Sequence, residues 1–353
     1  MQLKNLIDLD RLTLGEIHEL IKLSTNIRNN PWVYRESCRG KIMAALFTEP
    51  AVATQMAFQA AMYRLGGEVV CFDSSDGTSF LQQGSLKSAI TAVGGFADLI
   101  VLRSAAEGTA AAAALYSRKP VINAGDGGHL RPARTLSDLA AISSEKGRLD
   151  HLCIGLCGNL KSNPASLSLI QTMMRYKGNT FVLISSPEYT LPQNIKDSLD
   201  AADCKYVESS SLNEVISAID VLYITCAQQE SMGKGELAEK KKRILSAKTL
   251  GRAKKDLTVI HPALCSGEIT VDADDDERVI DQTPYGLYTR MALILTLLQN
   301  AEECGKQKVP HSTHPSRCTN PKCVTRTEPY LPNLFSEAGD MLECKYCEGR
   351  MLI

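Results

Sequence analysis

Short apolar runs alternate with longer amphipathic segments along most of the chain. The runs are rich in Val, Ile and Leu and predict nine strands: Lys41–Phe47, Glu68–Phe72, Leu99–Arg103, Pro120–Asn123, Leu152–Cys157, Thr180–Ser185, Lys205–Val207, Val221–Thr225 and Leu257–His261. The segments between them have helical periodicity over 51–65, 84–95, 164–176 and 191–202. This alternation predicts parallel sheets with helices on both faces. Since nine strands are many for one sheet, we expect two doubly wound α/β domains.

The same pattern predicts where the domains begin and end. The region 130–150 predicts a connecting helix, and Pro284–Cys304 predicts a late helix after the last strand. The stretch KVPHSTHPSR is a polar, proline-containing linker. We therefore expect a first domain over 1–135 that is closed by the late helix, a second over 136–283, and a small third over 306–353.

Composition and charge exclude several classes of protein. Of the 353 residues, 22% are charged and 44% hydrophobic, and the net charge is −1, so no basic field favours nucleic acid or an anionic membrane. No apolar run approaches the roughly 18 residues of a membrane span, and the N-terminus does not have the pattern of a signal peptide. Most of the twelve cysteines are scattered, which is typical of free thiols in a reducing compartment. We expect a cytoplasmic protein without a membrane or nucleic-acid partner.

Four cysteines near the C-terminus have the spacing of metal ligands. Cys318 and Cys323 form a C-x4-C pair, Cys344 and Cys347 form a C-x2-C pair, and 20 residues separate the pairs. This spacing predicts a tetrahedral, structural zinc ion (Zn2+) on a small β-ribbon. Zinc would supply on the order of 10 kcal/mol to a domain too small to fold on its apolar core alone. The alternative is four free or disulfide-bonded cysteines.

Several motifs resemble those of a known enzyme family. CTNPKCVTRTEP and ECKYCE resemble the zinc domain of the aspartate carbamoyltransferase regulatory chain. AMYRLGGEVVCF, PVINAGDGG, RTLSDL, GRLDHLCIGLCGNLK and DQTPYGLYTRMALILTLL resemble its catalytic chain. The resemblance implies a carbamoyl-phosphate domain, an aspartate domain, catalytic trimers with shared sites, and a link to pyrimidine biosynthesis. No segment is long enough for the regulatory chain's nucleotide-binding domain, so control by CTP or ATP is not expected.

The first domain departs from the family's motifs where carbamoyl phosphate would bind. The family's phosphate loop, Ser-Thr-Arg-Thr-Arg, reads Ala51–Gln55 here and keeps only Thr54. The mobile loop that reaches a neighbouring subunit keeps Ser79 but has Gln83 in place of a lysine. Arg103, which follows the next strand, matches the family. The resemblance therefore implies an anion site that has lost most of its donors.

The family's His-Pro-Thr-Gln motif is also replaced, and the replacement leaves two interpretations open. Residues 131–134 are Arg-Pro-Ala-Arg here, and this change removes the groups that in the family contact the carbonyl of carbamoyl phosphate. Arg131 and Arg134 could hold a different anion together with Arg103, with His129 close in sequence. Alternatively, the two new arginines are solvated charges at a helix start, or partners for Asp126.

In the second domain, the resemblance implies that aspartate has lost both of its arginines. Pro164 stands in place of one and Cys226 in place of the other, whereas Gln228 and Pro262 match the family. Glu49 matches a carboxylate of a domain-closing ion pair, but its expected arginine partners are absent.

The sum of these losses decides which function we expect. Four lost charge-assisted contacts at about 1.5–3 kcal/mol each amount to roughly 6–12 kcal/mol, and each 1.4 kcal/mol is about a tenfold change in rate. We therefore expect a non-catalytic homologue with a structural or regulatory role in a trimer-based homo-oligomer, with an active catalytic chain as a further candidate partner. The alternatives are a carbamoyltransferase, for aspartate or a changed acceptor, with a remodelled anion site, and nucleic-acid binding by the zinc ribbon, for which the tail is not basic enough.

Overall fold

The computed structural model describes residues 3–73, 84–225, 245–261, 273, 275–301 and 309–352. The chain divides into two compact units, one formed by Met1–Leu136 with Gly286–Ile353 and the other by Ser137–Tyr285. No helix within the described ranges combines the length and the apolar character needed to cross a bilayer.

The first unit contains a four-stranded parallel sheet. Its strands are β1 (Ile42–Phe47), β2 (Glu68–Asp73), β3 (Leu99–Ser104) and β4 (Val121–Asp126), in the order β2-β1-β3-β4. The strand order reverses direction between β1 and β3, which is where parallel α/β sheets bind ligands at the carboxyl ends of their strands.

Four helices of more than one turn precede Pro132 in this unit, and two of them have identifiable start signals. The four are α1 (Leu14–Asn29), α2 (Val52–Arg64), α3 (Leu86–Phe96) and α4 (Thr109–Tyr116). Thr13 and Glu16 form a reciprocal capping box at the start of α1, and the Ser85 hydroxyl caps α3. Helix α4 is alanine-rich and packs into the buried core beside β3 and β4.

The second unit contains a five-stranded parallel sheet. Its strands are β5 (Cys153–Cys157), β6 (Thr180–Ile184), β7 (Lys205–Ser209), β8 (Val221–Ile224) and β9 (Thr258–Ile260), in the order β7-β6-β5-β8-β9. The remaining long helices are α5 (Pro132–Lys146) and α8 (Thr283–Asn300), which cross the boundary between the units in sequence, and α6 (Pro164–Met173) and α7 (Gln193–Ala201). Single helical turns occur at Pro31–Tyr34, Leu212–Val215, Ala247–Leu250 and Val324–Thr327.

The C-terminal segment forms a small antiparallel sheet that belongs to the first unit. Its strands are β10 (Phe335–Ala338), β11 (Met341–Cys344) and β12 (Arg350–Leu352). Leu331, Phe335 and Tyr346 share one buried apolar cluster with Ile90 of α3 and the alanines of α4. The C-terminal domain is therefore docked on its own chain.

Two backbone contacts extend this docking to the start of α3. The Leu86 N–H donates to Glu328 Oε1 (3.1 Å), and the Lys87 N–H donates to the Tyr330 hydroxyl (2.8 Å). A carboxylate at a helix N-terminus satisfies orphan donors and complements the helix dipole. The C-terminal domain thus helps to cap a helix of the body on which it docks.

The predicted fold class is confirmed, and all nine predicted strands are present. The predicted connecting and late helices are α5 and α8, although α8 ends at Asn300 and Cys304 lies outside the described residues. Helices α1 and α4 were not predicted. The boundaries of the functional domains stay a prediction.

We predict that Asp8→Asn stabilises the protein at pH 8. Burial raises the pKa of Asp8 to about 7, and the charges of Asp10 and Glu348 add to the rise. Because the folded state holds this proton more tightly than the unfolded chain, stability is lost as the pH rises from about 4 towards 7. The variant should raise Tm at pH 8 by about 2–4 °C in a thermal unfolding scan and have little effect at pH 4. Asp10→Asn, at an exposed position, should give a smaller rise. An unchanged or lower Tm for Asp8→Asn at pH 8 would contradict the argument.

Candidate functional site

The retained arginine at the carboxyl end of β3 is engaged by the protein itself. Arg103 Nη2 lies 2.7 Å from Glu49 Oε1, and both side chains are largely buried. Arg103 Nη1 donates to the Ala124 carbonyl (3.3 Å), and the Arg103 carbonyl accepts from the N–H of Thr48 (2.9 Å). Glu49, which the resemblance implies in an ion pair between domains, pairs with Arg103 in the first unit.

The start of α2, which would form the phosphate loop, offers few polar side chains. Ala51 is the N-cap residue, and no side chain caps the helix. Val52 is 67% exposed, and Thr54 supplies the only hydroxyl in the first turn. Backbone N–H groups and the helix dipole are thus the main features that an anion could use here.

Arg131 lies beside Arg103 rather than in solvent. A Cβ built on Gly125 would lie 1.8 Å from Arg131 Nη1 and 3.0 Å from Arg103 Nη1, and Gly125 has φ = +125°. Only glycine therefore allows both guanidinium groups to approach this turn. Burial, then the charge of Arg103, lowers the pKa of Arg131 to about 10, while Glu49 and Asp126 oppose the shift.

The position of Arg131 is incompatible with a solvated charge, whereas a partnership with Asp126 and a role in holding an anion both stay predictions. Arg131 is a half-buried cation beside a second cation, so it is not a solvated charge at a helix start. Arg134 lies in the first turn of α5, where its N–H donates to the Arg131 carbonyl (2.9 Å). The positions Ser79, Gln83, Cys226, Gln228 and Pro262 lie outside the described residues.

In the second unit, the loop after β5 uses its side-chain amides on its own backbone. The Asn159 side chain accepts from the N–H groups of Lys161 (3.1 Å) and Ser162 (3.2 Å). Asn163 caps α6, and Pro164 occupies the first helical position, where its missing N–H costs nothing. Pro164 thus has a local structural role in helix initiation.

The four C-terminal cysteines converge as the spacing predicts. Their Sγ atoms all lie within 4.8 Å of one another, and all four residues are buried. Cys318 Sγ is 3.6 Å from Cys347 Sγ, and Cys323 Sγ is 3.9 Å from Cys344 Sγ. A tetrahedral zinc ion with Zn–S bonds of about 2.3 Å separates its sulfurs by roughly 3.8 Å, so this donor set fits zinc. The Thr325 hydroxyl donates to Cys323 Sγ (3.2 Å), as an outer-shell partner of a metal thiolate does.

His129, in the loop after β4, lies between two carboxylates, and one of them belongs to the metal-binding domain. His129 Nδ1 lies 3.5 Å from Asp126 Oδ2, and His129 Nε2 lies 3.2 Å from Glu348 Oε2. Burial alone would lower the pKa of His129, but the two carboxylates outweigh it and raise the pKa to about 10. The imidazole is therefore charged near neutral pH. Sequence analysis missed Glu348, because no local signal pairs a residue beside Cys347 with a distant loop.

We predict one zinc ion per chain. Cys344→Ser should abolish stoichiometric zinc in metal analysis of the purified protein, because three thiolates do not close a structural site. Cys71→Ser, at an exposed cysteine outside the cluster, is the matched control and should retain the metal. Full zinc content in Cys344→Ser, or none in the unmodified chain, would contradict the assignment.

Comparison with known proteins assigns each part of the chain. Residues 4–144 match the carbamoyl-P binding domain of aspartate/ornithine carbamoyltransferase, and 150–297 match the Asp/Orn binding domain. Residues 316–352 match the metal binding domain of the aspartate carbamoyltransferase regulatory chain.

Curated relatives and solved structures agree with this assignment. The aspartate carbamoyltransferase catalytic subunit of Clostridium kluyveri is 40% identical over 299 residues, covering 84% of this chain and 98% of the relative. The catalytic subunit of Clostridium perfringens SM101 is 41% identical over 303 residues, covering 84% of this chain and 99% of the relative.

The catalytic subunit of M. jannaschii aspartate transcarbamoylase superposes with a TM-score of 0.79 at 32% identity, covering 85% of this chain and 99% of that one. Aspartate transcarbamoylase from Trypanosoma cruzi in complex with N-(phosphonacetyl)-L-aspartic acid superposes with a TM-score of 0.75 at 27% identity. The match covers 83% of this chain and 95% of that one. With the fold, the cysteine cluster and both kinds of similarity in agreement, the chain belongs to the aspartate/ornithine carbamoyltransferase family and carries a metal-binding domain of the regulatory-chain type.

Proposed function

We propose that this chain is a non-catalytic member of its family, with a structural or regulatory role in a homo-oligomer. The observation that carries the proposal is the ion pair between Arg103 and Glu49. The anion-binding arginine that matches the family already has a carboxylate at 2.7 Å, so a phosphate would have to compete with an internal, partly desolvated partner.

The surroundings of this pair support the same conclusion. Helix α2, which follows Glu49 in the chain, begins at Val52 after the N-cap residue Ala51 and has no side-chain cap. In the second unit, Pro164 takes the place of a substrate arginine and starts a helix. Carbamoyl transfer without a covalent intermediate depends on positioning and electrostatic stabilisation, so the loss of these donors removes the main sources of rate.

The second candidate function is a carbamoyltransferase with a remodelled anion site. Arg131 beside Arg103 favours it, because two converging guanidinium groups can bind a carboxylate or phosphate. Arg103 Nε is buried without a hydrogen-bond partner among the described residues, which leaves one donor for such a ligand. The high identity to catalytic subunits also supports this candidate.

The oligomeric part of the proposal rests on an exposed apolar face. Val52, Met56 and Tyr63 of α2 are exposed, and so are Val70 and Phe72 of β2, the edge strand of the first sheet. Several exposed apolar side chains on a helix and on the strand that it contacts are typical of an association site. A second copy of this chain is the occupant that we propose, in an assembly built on trimers; an active catalytic chain is the other candidate partner.

We predict no detectable carbamoyl aspartate from saturating carbamoyl phosphate and aspartate in a steady-state assay. The M. jannaschii catalytic subunit, assayed in parallel, is the positive control. Calorimetry with N-(phosphonacetyl)-L-aspartic acid should show no binding tighter than millimolar. Turnover of about one per second or micromolar binding would contradict the proposal. If turnover is found and Arg131→Gln abolishes it while Arg28→Gln does not, the remodelled transferase is the correct function.

We predict that the chain has a mass of about three times 38.5 kDa, or a multiple of it, in light scattering. Met56→Asp should lower this mass, because it places a charge in the apolar face. Val207→Asp is the matched control, since Val207 is equally exposed on the edge strand of the other sheet. A monomer at micromolar concentration, or an equal response of both variants, would contradict the proposed face.

A further inference from the structure

The first pair of metal ligands is tied to the segment that joins β3 to α4. The Glu107 N–H donates to the Lys322 carbonyl (2.9 Å), and the Val324 N–H donates to the Glu107 carbonyl (2.9 Å). The Asn320 side-chain amide donates to Glu107 Oε2 (2.7 Å). Residues 320–324 include Cys323 and follow Cys318 closely, so the geometry of this pair determines where Glu107 is held.

The second pair of metal ligands contacts the same region from another side. A Cβ on Gly108 would lie 2.6 Å from the carbonyl carbon and the Cβ of Tyr346, which stands between Cys344 and Cys347. Gly108 has φ = +84°, so both its backbone conformation and its packing require glycine. Glu348, the next residue after Cys347, reaches His129.

These contacts converge on the end of β4 and the turn that follows it, residues 125–131, which we call loop 125–131. Asp126 Oδ2 accepts from the Gly108 N–H (2.8 Å) and faces His129 Nδ1 at 3.5 Å. A Cβ on Gly127 would lie 2.6 Å from the Ala105 carbonyl and 3.0 Å from Glu107 Cγ, so Gly127 packs against the segment that the metal-binding domain holds.

The loop in turn positions the cation beside Arg103. The Gly127 carbonyl accepts from Arg131 Nη2 (3.2 Å), and Gly125 allows the approach of Arg131 Nη1. An unbroken set of contacts therefore runs from both cysteine pairs through Glu107, Gly108 and His129 to Arg131.

We propose that zinc occupancy of the C-terminal domain controls the conformation of loop 125–131, and with it the position of Arg131 beside Arg103, through the Glu348–His129 ion pair and the Glu107 contacts. Loss of the metal releases the cysteine pairs, and with them the residues that hold the loop. The inference does not depend on whether the chain is catalytic, since it concerns only the coupling between the metal-binding domain and the loop. Coupling between two sites is reciprocal, so a loosened loop should also weaken retention of the metal.

Hydrogen exchange of the full-length protein tests whether zinc affects the loop. Removing zinc with a chelator should speed amide exchange in 124–135 by roughly five- to 150-fold, the usual range of coupling between sites. Strand β6 of the second unit is the internal reference and should be unchanged. Equal exchange in 124–135 with and without zinc would overturn the proposal.

Two variants separate this coupling from general destabilisation. Glu348→Gln, measured with its zinc content confirmed, should speed exchange in 124–135. Glu343→Gln should not, because Glu343 pairs with Arg350 within the small sheet. Equal effects of Glu348→Gln and Glu343→Gln would overturn the role of the ion pair.

The rate of zinc release tests whether the loop affects retention of the metal. His129→Gln lies far from the cysteines in sequence, so it leaves the ligand segments themselves intact. In a competition assay with a chromogenic chelator, it should release zinc at least about fivefold faster than the unmodified chain. An unchanged rate of release in His129→Gln would overturn reciprocal coupling.

Discussion

The buried carboxylate of Asp126 is the group around which the first unit is arranged. A buried charge is tolerated only when hydrogen bonds and counter-charges compensate its lost hydration. Asp126 is 2% exposed and accepts from the Gly108 N–H, the Asn123 side-chain amide and the Leu130 N–H, with the charged His129 alongside. The hydrogen bonds to this one carboxylate therefore hold together the segment before α4, the end of β4 and the segment that leads into α5.

The metal-binding domain depends on the same region for its place in the protein. Its sheet has three short strands, and its buried apolar residues belong to a cluster that continues into α3 and α4. Such a small domain cannot supply enough core by itself, so the four thiolates and the docked face together hold it. The chain thus contains, in one polypeptide and in contact, a part similar to catalytic subunits and a part that matches a domain of the regulatory chain.

Sequence reasoning reached the elements whose signals are local. Buried parallel strands are nearly continuous apolar runs, which is why Cys153–Cys157 and its counterparts were predicted, and cysteine spacing alone predicted the cluster. Helix α4 was missed because TAAAAALY has almost no polar residues, and therefore no amphipathic period. The pairing of Glu49 with Arg103 and that of His129 with Glu348 were missed because each joins residues distant in sequence. Sequence motifs predicted the arginines as candidate site residues, but their charge partners depend on the fold.

The charges of the candidate anion site are balanced within the protein itself. Arg103 and Arg131 bring two positive charges together, an arrangement that would be unstable in a partly desolvated turn if it were not balanced. Glu49 contacts Arg103, and the charges of Glu49 and Asp126 act on Arg131, so two carboxylates balance the two guanidinium groups. A site that is neutral in this way does not need a substrate anion to be stable. Under the proposed function, Arg103 and Arg131 serve the packing of the protein itself, because Arg103 is paired with Glu49 and Arg131 donates to the Gly127 carbonyl.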